Sequence, residues 1–222
     1  EIIRHRTARK MRQLFWLEQL RDHASCVLKH SALIGNTDAF VDELRNSSTL
    51  KSLRCYYDRY DKDFANETFS PAIAAALKVN SSLTSLDLCD NLIEQEGAIA
   101  IADALKVNSS LTSLNLSNSS IDNEEAIAIA DALKVNSFLT SLDLEWNSID
   151  NEGAIKIADA LKVNSSLTSL NLSNSSIGDE GAIAIADSLK VNSSLTSLNI
   201  NSNSIDNEGA ISIAKALTHN PT

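Results

Sequence analysis

Three groups of residues in this chain are of types that do chemistry. His23, Cys26 and His30 fall at i, i+3 and i+7, one face of a helix, a spacing that invites zinc. A closed structural site takes four ligands, and no fourth stands near; Cys55 is the only candidate, and it reads more simply as a small buried hydrophobe. No metal is therefore expected. Cys89 has no histidine in its stretch to activate it as a nucleophile. The many carboxylates recur at fixed places where helices begin, which explains them as caps. There is no glycine-rich phosphate loop and no nucleophile elbow. No catalytic residue and no cofactor is expected, and the chain reads as a non-enzyme.

What remains is recognition. Asp143, Glu145 and Trp146 stand together, with Phe138 just before them, where three of the four equivalent sets carry only serine or asparagine. A tryptophan among acids has the composition of a protein-binding anchor. The competing reading is a ring lying flat on its neighbours or on Phe138 after duplication. Asp87, Cys89 and Asp90 occupy the corresponding places nearer the N-terminus. A third candidate is the cluster Tyr56, Tyr57 and Tyr60, inside an insertion that reads either as a binding loop or as an entry turn packing on an N-terminal cap.

The elements that must position these residues come from a repeat. The text LTSLDLCDNLI…EGAIAIADALKVNSS begins at Leu83 and restarts at Leu111, Leu139, Leu167 and Leu195, a period of 28 residues. Leu86 and Leu88 alternate with Ser85 and Asp87, predicting a strand with one buried face. Ala98, Ile101, Ala102 and Leu105 follow i, i+3, i+4, i+7, predicting a helix. Glu94 and Glu96 suit the positive end of its dipole, and Lys106 suits the negative end. Asn108 is expected to take the left-handed conformation that closes the helix. Asp103–Lys106, Asp131–Lys134, Asp159–Lys162 and Asp187–Lys190 are i, i+3 pairs on the outer face. One strand and one helix cannot close a core, but stacked copies can.

This L-x-x-L-x-L-x-x-N/S-x-I pattern resembles the leucine-rich repeat family, in its 28-residue ribonuclease-inhibitor-like class, over about residues 38–222. The resemblance implies an α/β solenoid, a horseshoe with a parallel sheet on the concave side and helices on the convex side. It also implies a protein partner held by the outward strand positions, without naming one. The Asn place reads Asn91, Ser119, Asn147, Ser175, Asn203; in the family that amide is buried and bonds to backbone, which serine does less fully. Likeness to a Ran-type GTPase activator is the alternative function, but no arginine follows Arg59 to serve it.

The domain reading is a cap over 1–37 and a solenoid over 38–222. The first repeat is irregular to about 82: Leu50, Leu53, Cys55 and Asp58 fill the motif places, and five extra residues fall within Tyr56 to Phe69. Residues 1–30 carry seven basic side chains against three acidic ones, and Met11, Leu14, Leu17, Leu20, Ala24 and Leu28 predict one or two amphipathic helices. They read as a cap on the open core, the tail of an upstream domain, a basic surface for anionic lipid or a localisation signal. The final HNPT reads as a polar cap or as a cut inside a longer array, and the cut is the preferred reading.

Net charge is −10, which argues against a duplex nucleic-acid binder and favours a basic protein partner. No apolar run spans a membrane. No signal peptide is visible, although the chain starts at Glu1 rather than Met. Three cysteines suggest a reducing compartment, and the N-x-S/T triplets at Asn80, Asn108, Asn164 and Asn192 recur only because the repeat does. The expectation is a cytoplasmic interaction module, part of a sensor, scaffold or effector, delivered into a host cell if its source is a pathogen.

Overall fold

The structure is a computed structural model that describes residues 25–29, 37–56, 69–91, 93–218 and 220. Strands and helices alternate along the chain: β1 (Ser25–Lys29), α1 (Thr37–Asn46), β2 (Ser52–Tyr56), α2 (Phe69–Leu77), β3 (Ser85–Asp87), α3 (Gln95–Leu105), β4 (Ser113–Asn115), α4 (Asn123–Leu133), β5 (Ser141–Asp143), α5 (Asn151–Leu161), β6 (Ser169–Asn171), α6 (Asp179–Leu189), β7 (Ser197–Asn199) and α7 (Asn207–Leu217). The strands form one parallel sheet in sequence order, β1 to β7. From β3 onward, each residue pairs with its equivalent one period later: Leu86 with Leu114, Leu142 and so on. This is the expected α/β solenoid.

The motif leucines and helix-face residues make the core. Leu86, Leu88, Leu114, Leu116, Leu142, Leu144, Ala98, Ile101, Ala102 and Leu105 are buried, as are Leu50, Leu53 and Cys55 in the irregular first unit. Phe40 of α1 and Phe69 of α2 stack with centroids 6.5 Å apart, filling the core where the motif is least regular. The four predicted Asp–Lys pairs are present at 2.6–2.9 Å, all exposed, so each adds at most a few tenths of a kcal/mol.

Three expectations need correction. Residues 25–29 form a strand, not a helix, with Cys26 paired to Leu53 and Leu28 to Cys55. The sheet therefore begins inside the segment read as a cap. Pairing with the edge of β2 overrides the local helical periodicity, and Cys26-x-Leu28 falls in register with the motif pair Leu53-x-Cys55. It also removes the helical face that would have held zinc: Cys26 is on a strand, while His23 and His30 lie outside the described residues, as do Tyr57, Asp58 and Tyr60.

Second, Asn108 does not close its helix in a left-handed conformation; it is absent from the positive-φ residues. It is buried, and its amide donates to Leu77 O (2.7 Å) and Asn80 O (3.1 Å), while its Oδ1 accepts from Ser110 N and Leu111 N. Asn80, Asn136, Asn164 and Asn192 do the same, so a ladder of buried amides stitches each repeat to the one before. Four of these, Asn80, Asn108, Asn164 and Asn192, are also asparagines of N-x-S/T triplets. Their nitrogens are spent inside the fold and cannot carry a glycan there.

Third, acids at helix starts do not all cap. Asp122 and Asp150 accept from the N–H of Glu124 and Glu152, whereas Glu94 and Asp206 make no side-chain cap bond. The cap is shared between repeats: Asn123 Oδ1 accepts from Asp150 N and Gly153 N, Asn151 Oδ1 from Gly178 N and Gly181 N, and Asp179 Oδ1 from Asp206 N and Gly209 N. The approach is close enough that a Cβ at Gly153 would lie 2.8 Å from Asn123 Oδ1.

Helix α4 departs from this scheme. Its predecessor begins with Gln95, and its own Glu125 stands where α3, α5, α6 and α7 carry glycine; Glu125 Oε2 accepts the Asp122 N–H at 2.8 Å. Burial pushes the Glu125 carboxyl up from its ordinary pKa, and the Asp122 carboxyl beside it adds to the shift. The hydrogen bond from Glu125 holds Asp122 below the usual carboxylate range. A raised acid favours its protonated form in the fold. Its contribution is complete below the ordinary glutamate pKa of about 4.3 and is lost as pH rises through the folded value. Glu125→Gln imitates the protonated form at every pH. Thermal unfolding should show the variant more stable than the parent near neutrality and equal to it near pH 4; a constant difference across that range would rule out this titration.

A candidate protein-binding ridge at the strand ends

Each strand of the regular repeats runs into a tight turn before the next helix, and the turns line up as a ridge. The Asp/Asn that ends each strand builds the turn: Asp87 Oδ1 accepts from Cys89 N, Asn115 from Ser117 N, Asp143 from Glu145 N, Asn171 from Ser173 N and Asn199 from Asn201 N, all at 2.9–3.1 Å. Short polar side chains are favoured here because they bond their own backbone two residues on. Asp87 and Asp143, read from the sequence as partner-binding, therefore have one carboxylate oxygen committed to the fold.

Three residues after that Asp/Asn comes the crest. Asp90, Asn118, Trp146, Asn174 and Ser202 all have positive φ, between 50° and 57°. Each of the first four donates its N–H to the carbonyl of the next turn, to Ser117, Glu145, Ser173 and Asn201. Asp and Asn tolerate this left-handed conformation; for a bulky residue it is an outlier. Trp146 adopts it at φ 56° and is still 61% exposed. The fold thus gains little burial from the ring and carries it in an unfavourable backbone state.

The neighbours of Trp146 are tied aside. Asn118 Nδ2 donates to Asp90 Oδ1 at 2.6 Å, away from the ring's repeat. On the other flank Glu145 accepts from Asn174 Nδ2 (2.9 Å) and Asn171 Nδ2 (3.4 Å). Glu145 is half-buried, and its carboxylate oxygens have lone pairs to spare.

The other sequence candidates fall elsewhere. Cys89, placed on the concave ridge by register, is buried. Burial pushes its thiol up, Asp87 adds to the shift, and Arg54 only partly opposes them, so it is neither a surface contact nor a nucleophile near neutrality. Phe138 is exposed but lies at the opposite end of β5, before Leu139, so it does not join Trp146. Tyr56 ends β2, paired with Lys29. A residue overlooked in the sequence is Arg54, in the strand-ending column opposite Asp87. Its Nε lies 3.2 Å from Asp87 Oδ2 and its Nη2 donates to Cys89 Sγ at 3.5 Å. The Asp87 carboxylate raises the Arg54 pKa. Aligning SLRCY under SLDLC would have found it.

The Asn place behind the crest behaves as the motif implies. Asn147 Nδ2 donates to Leu116 O and Leu144 O, and its Oδ1 accepts from Ser119 N and Ile121 N. Ser119 reaches two carbonyls, while the Ser175 hydroxyl is buried without a partner. Among the described residues no helix is long and apolar enough to cross a membrane.

Comparison with known proteins agrees with this architecture. Solved structures include the actin-binding site 2 of leiomodin-1, at 27% identity and a TM-score of 0.59, covering 70% of this chain and 90% of that one. They also include the tropomodulin C-terminal domain of Caenorhabditis elegans, at 16% identity and a TM-score of 0.53, covering 83% and 92%. No curated protein matches the sequence. The leucine-rich repeat family matches five times, at residues 79–102, 107–130, 135–158, 163–186 and 191–214, together more than half of the chain. The chain belongs to the leucine-rich repeat family.

Proposed function

We propose that the chain is a protein-interaction module whose contact surface is the ridge centred on Trp146, and that its partner presents lysine or arginine there. The observation that carries this is the tryptophan itself, exposed at a positive-φ crest position where its four equivalents are Asp, Asn, Asn and Ser. A residue that costs the fold and gains little from it is retained for something outside the fold. Asp143 and Glu145 beside it supply the negative charge, and a chain of net charge −10 favours a basic partner.

A second reading, actin binding, is favoured by the 27% identity to the actin-binding site 2 of leiomodin-1 over 90% of that chain. Both readings are tested with one set of variants. Affinity capture with mass spectrometry, using the parent chain against Glu145→Lys and Trp146→Ala, should lose the same basic protein in both variants. Surface plasmon resonance on that protein should show Glu145→Lys acting on the association rate and its salt dependence. Co-sedimentation with filamentous actin that depends on Trp146 would establish the second reading. Partners captured equally by parent and both variants would remove the ridge as the site.

A further inference from the structure

The edge opposite the ridge, where helices end and strands begin, carries a row of exposed apolar residues. Val79, Val107, Val135, Val163 and Val191 are each 63–64% exposed at the ends of α2 to α6. Phe138, 46% exposed, lies three residues beyond the middle one. Its siblings there are serines: Ser82 Oγ bonds to Ser47 O and Leu50 O, and Ser110 and Ser166 bond to Asn80 O and Asn136 O. Phe138 gives up that link between repeats and places a ring in solvent at the centre of a row of valines. Duplication explains the valines, but it does not explain a phenylalanine in one copy.

We infer that this valine edge is a self-association surface, on which a second copy of the chain docks in an antiparallel, two-fold manner through Phe138. The row is spaced by the chain's own period, and another array of the same repeat matches that spacing along its whole length. The row is also symmetric about the middle repeat. A two-fold axis along the radius through that repeat lays one arc on the other, so curvature does not separate them. Phe138 then meets Phe138 of the other copy, Val107 meets Val163, and Val79 meets Val191. Such an isologous contact closes at two subunits. Charge permits it: the lysines beside four of the valines, Lys106, Lys134, Lys162 and Lys190, are already paired with aspartates at 2.6–2.9 Å, so two copies meet without a build-up of one sign. The row offers six exposed apolar side chains, against the roughly 20–30 residues a side of a standard interface. A standard interface takes about 800 Å² per partner, so the dimer is weak and reversible.

Sedimentation velocity from micromolar to near-millimolar chain should show a rapid monomer–dimer equilibrium. Phe138→Ser restores the sibling residue, so folding is preserved; it should weaken dimerisation by about tenfold or more. Trp146→Ala should leave dimerisation unchanged, which separates this surface from the ridge. Orientation is read by oxidative cross-linking: Val107→Cys mixed with Val163→Cys should give more cross-linked dimer than either variant alone. A chain that stays monomeric at every concentration, a dimer indifferent to Phe138→Ser, or cross-linking dominated by Val107→Cys with itself would overturn the inference.

Discussion

Replacing Trp146 with asparagine is expected to make the protein more stable and a poorer binder at the same time. A non-glycine residue in the left-handed region costs roughly 1–2 kcal/mol, and asparagine recovers part of that because it is enriched there several-fold. Asn118 and Asn174 show that the crest accepts it, and each finds a lateral hydrogen bond from that position. A gain of about 1 kcal/mol raises the unfolding midpoint of a chain of this size by about 2–4 °C. The same change removes a large exposed side chain from the ridge, and loss of such an anchor costs about 2 kcal/mol or more in partner affinity. Calorimetry and binding measured on one preparation decide the matter. A lower midpoint with affinity per folded molecule intact would make Trp146 a packing residue. Stability and binding pulling in opposite directions is the signature of a residue kept against the interest of the fold.

The repeat made the solenoid legible, because two periodicities restarting every 28 residues leave one way to bury both faces. Trp146 was legible as an anomaly for a related reason: four near-copies supply the expected residue, and the departure stands out against them. Its left-handed backbone was not legible. Nothing in LEWNSI distinguishes a crest from a strand end until the turn bond from Asp143 is seen. The same bond explains why Asp87 and Asp143 looked freer in the sequence than they are. Arg54 was hidden by an irregular first unit, where the eye aligns leucines rather than the residues between them. Residues 25–29 were misread because five residues of a basic segment with helical spacing carry no local sign that a sheet edge waits for them. The inter-repeat asparagine ladder escaped for the opposite reason. An asparagine after a helix has a familiar local explanation, and the partners that matter lie 28 and 31 residues away.

That ladder predicts a large loss of stability from a single substitution outside the apolar core. Asn136 is buried in the middle of the array. Its Nδ2 donates to Leu105 O at 2.7 Å and Asn108 O at 3.2 Å, and its Oδ1 accepts from Phe138 N at 2.9 Å and Leu139 N at 2.8 Å. Asn136→Ala therefore leaves two carbonyls and two N–H groups without their partner in a place that water reaches poorly. An unsatisfied buried group costs about 1–3 kcal/mol, so even with some of the four rescued by solvent the loss should be about 3 kcal/mol or more. Asn136→Asp keeps both acceptor bonds and loses both donor bonds, and it adds a buried charge facing two carbonyls; it should be no better tolerated than alanine. The damage should also be local. Asn136 joins the repeat of α4 and β5 to its N-terminal neighbour, and a solenoid transmits stability between adjacent units only. Native-state hydrogen exchange should show protection falling most in α3, α4 and β5 and recovering toward α6, while denaturant unfolding becomes broader as the two halves uncouple. A loss below about 1 kcal/mol, or protection falling equally from β3 to β7, would mean that the amides are incidental and that the leucines alone hold the repeats together.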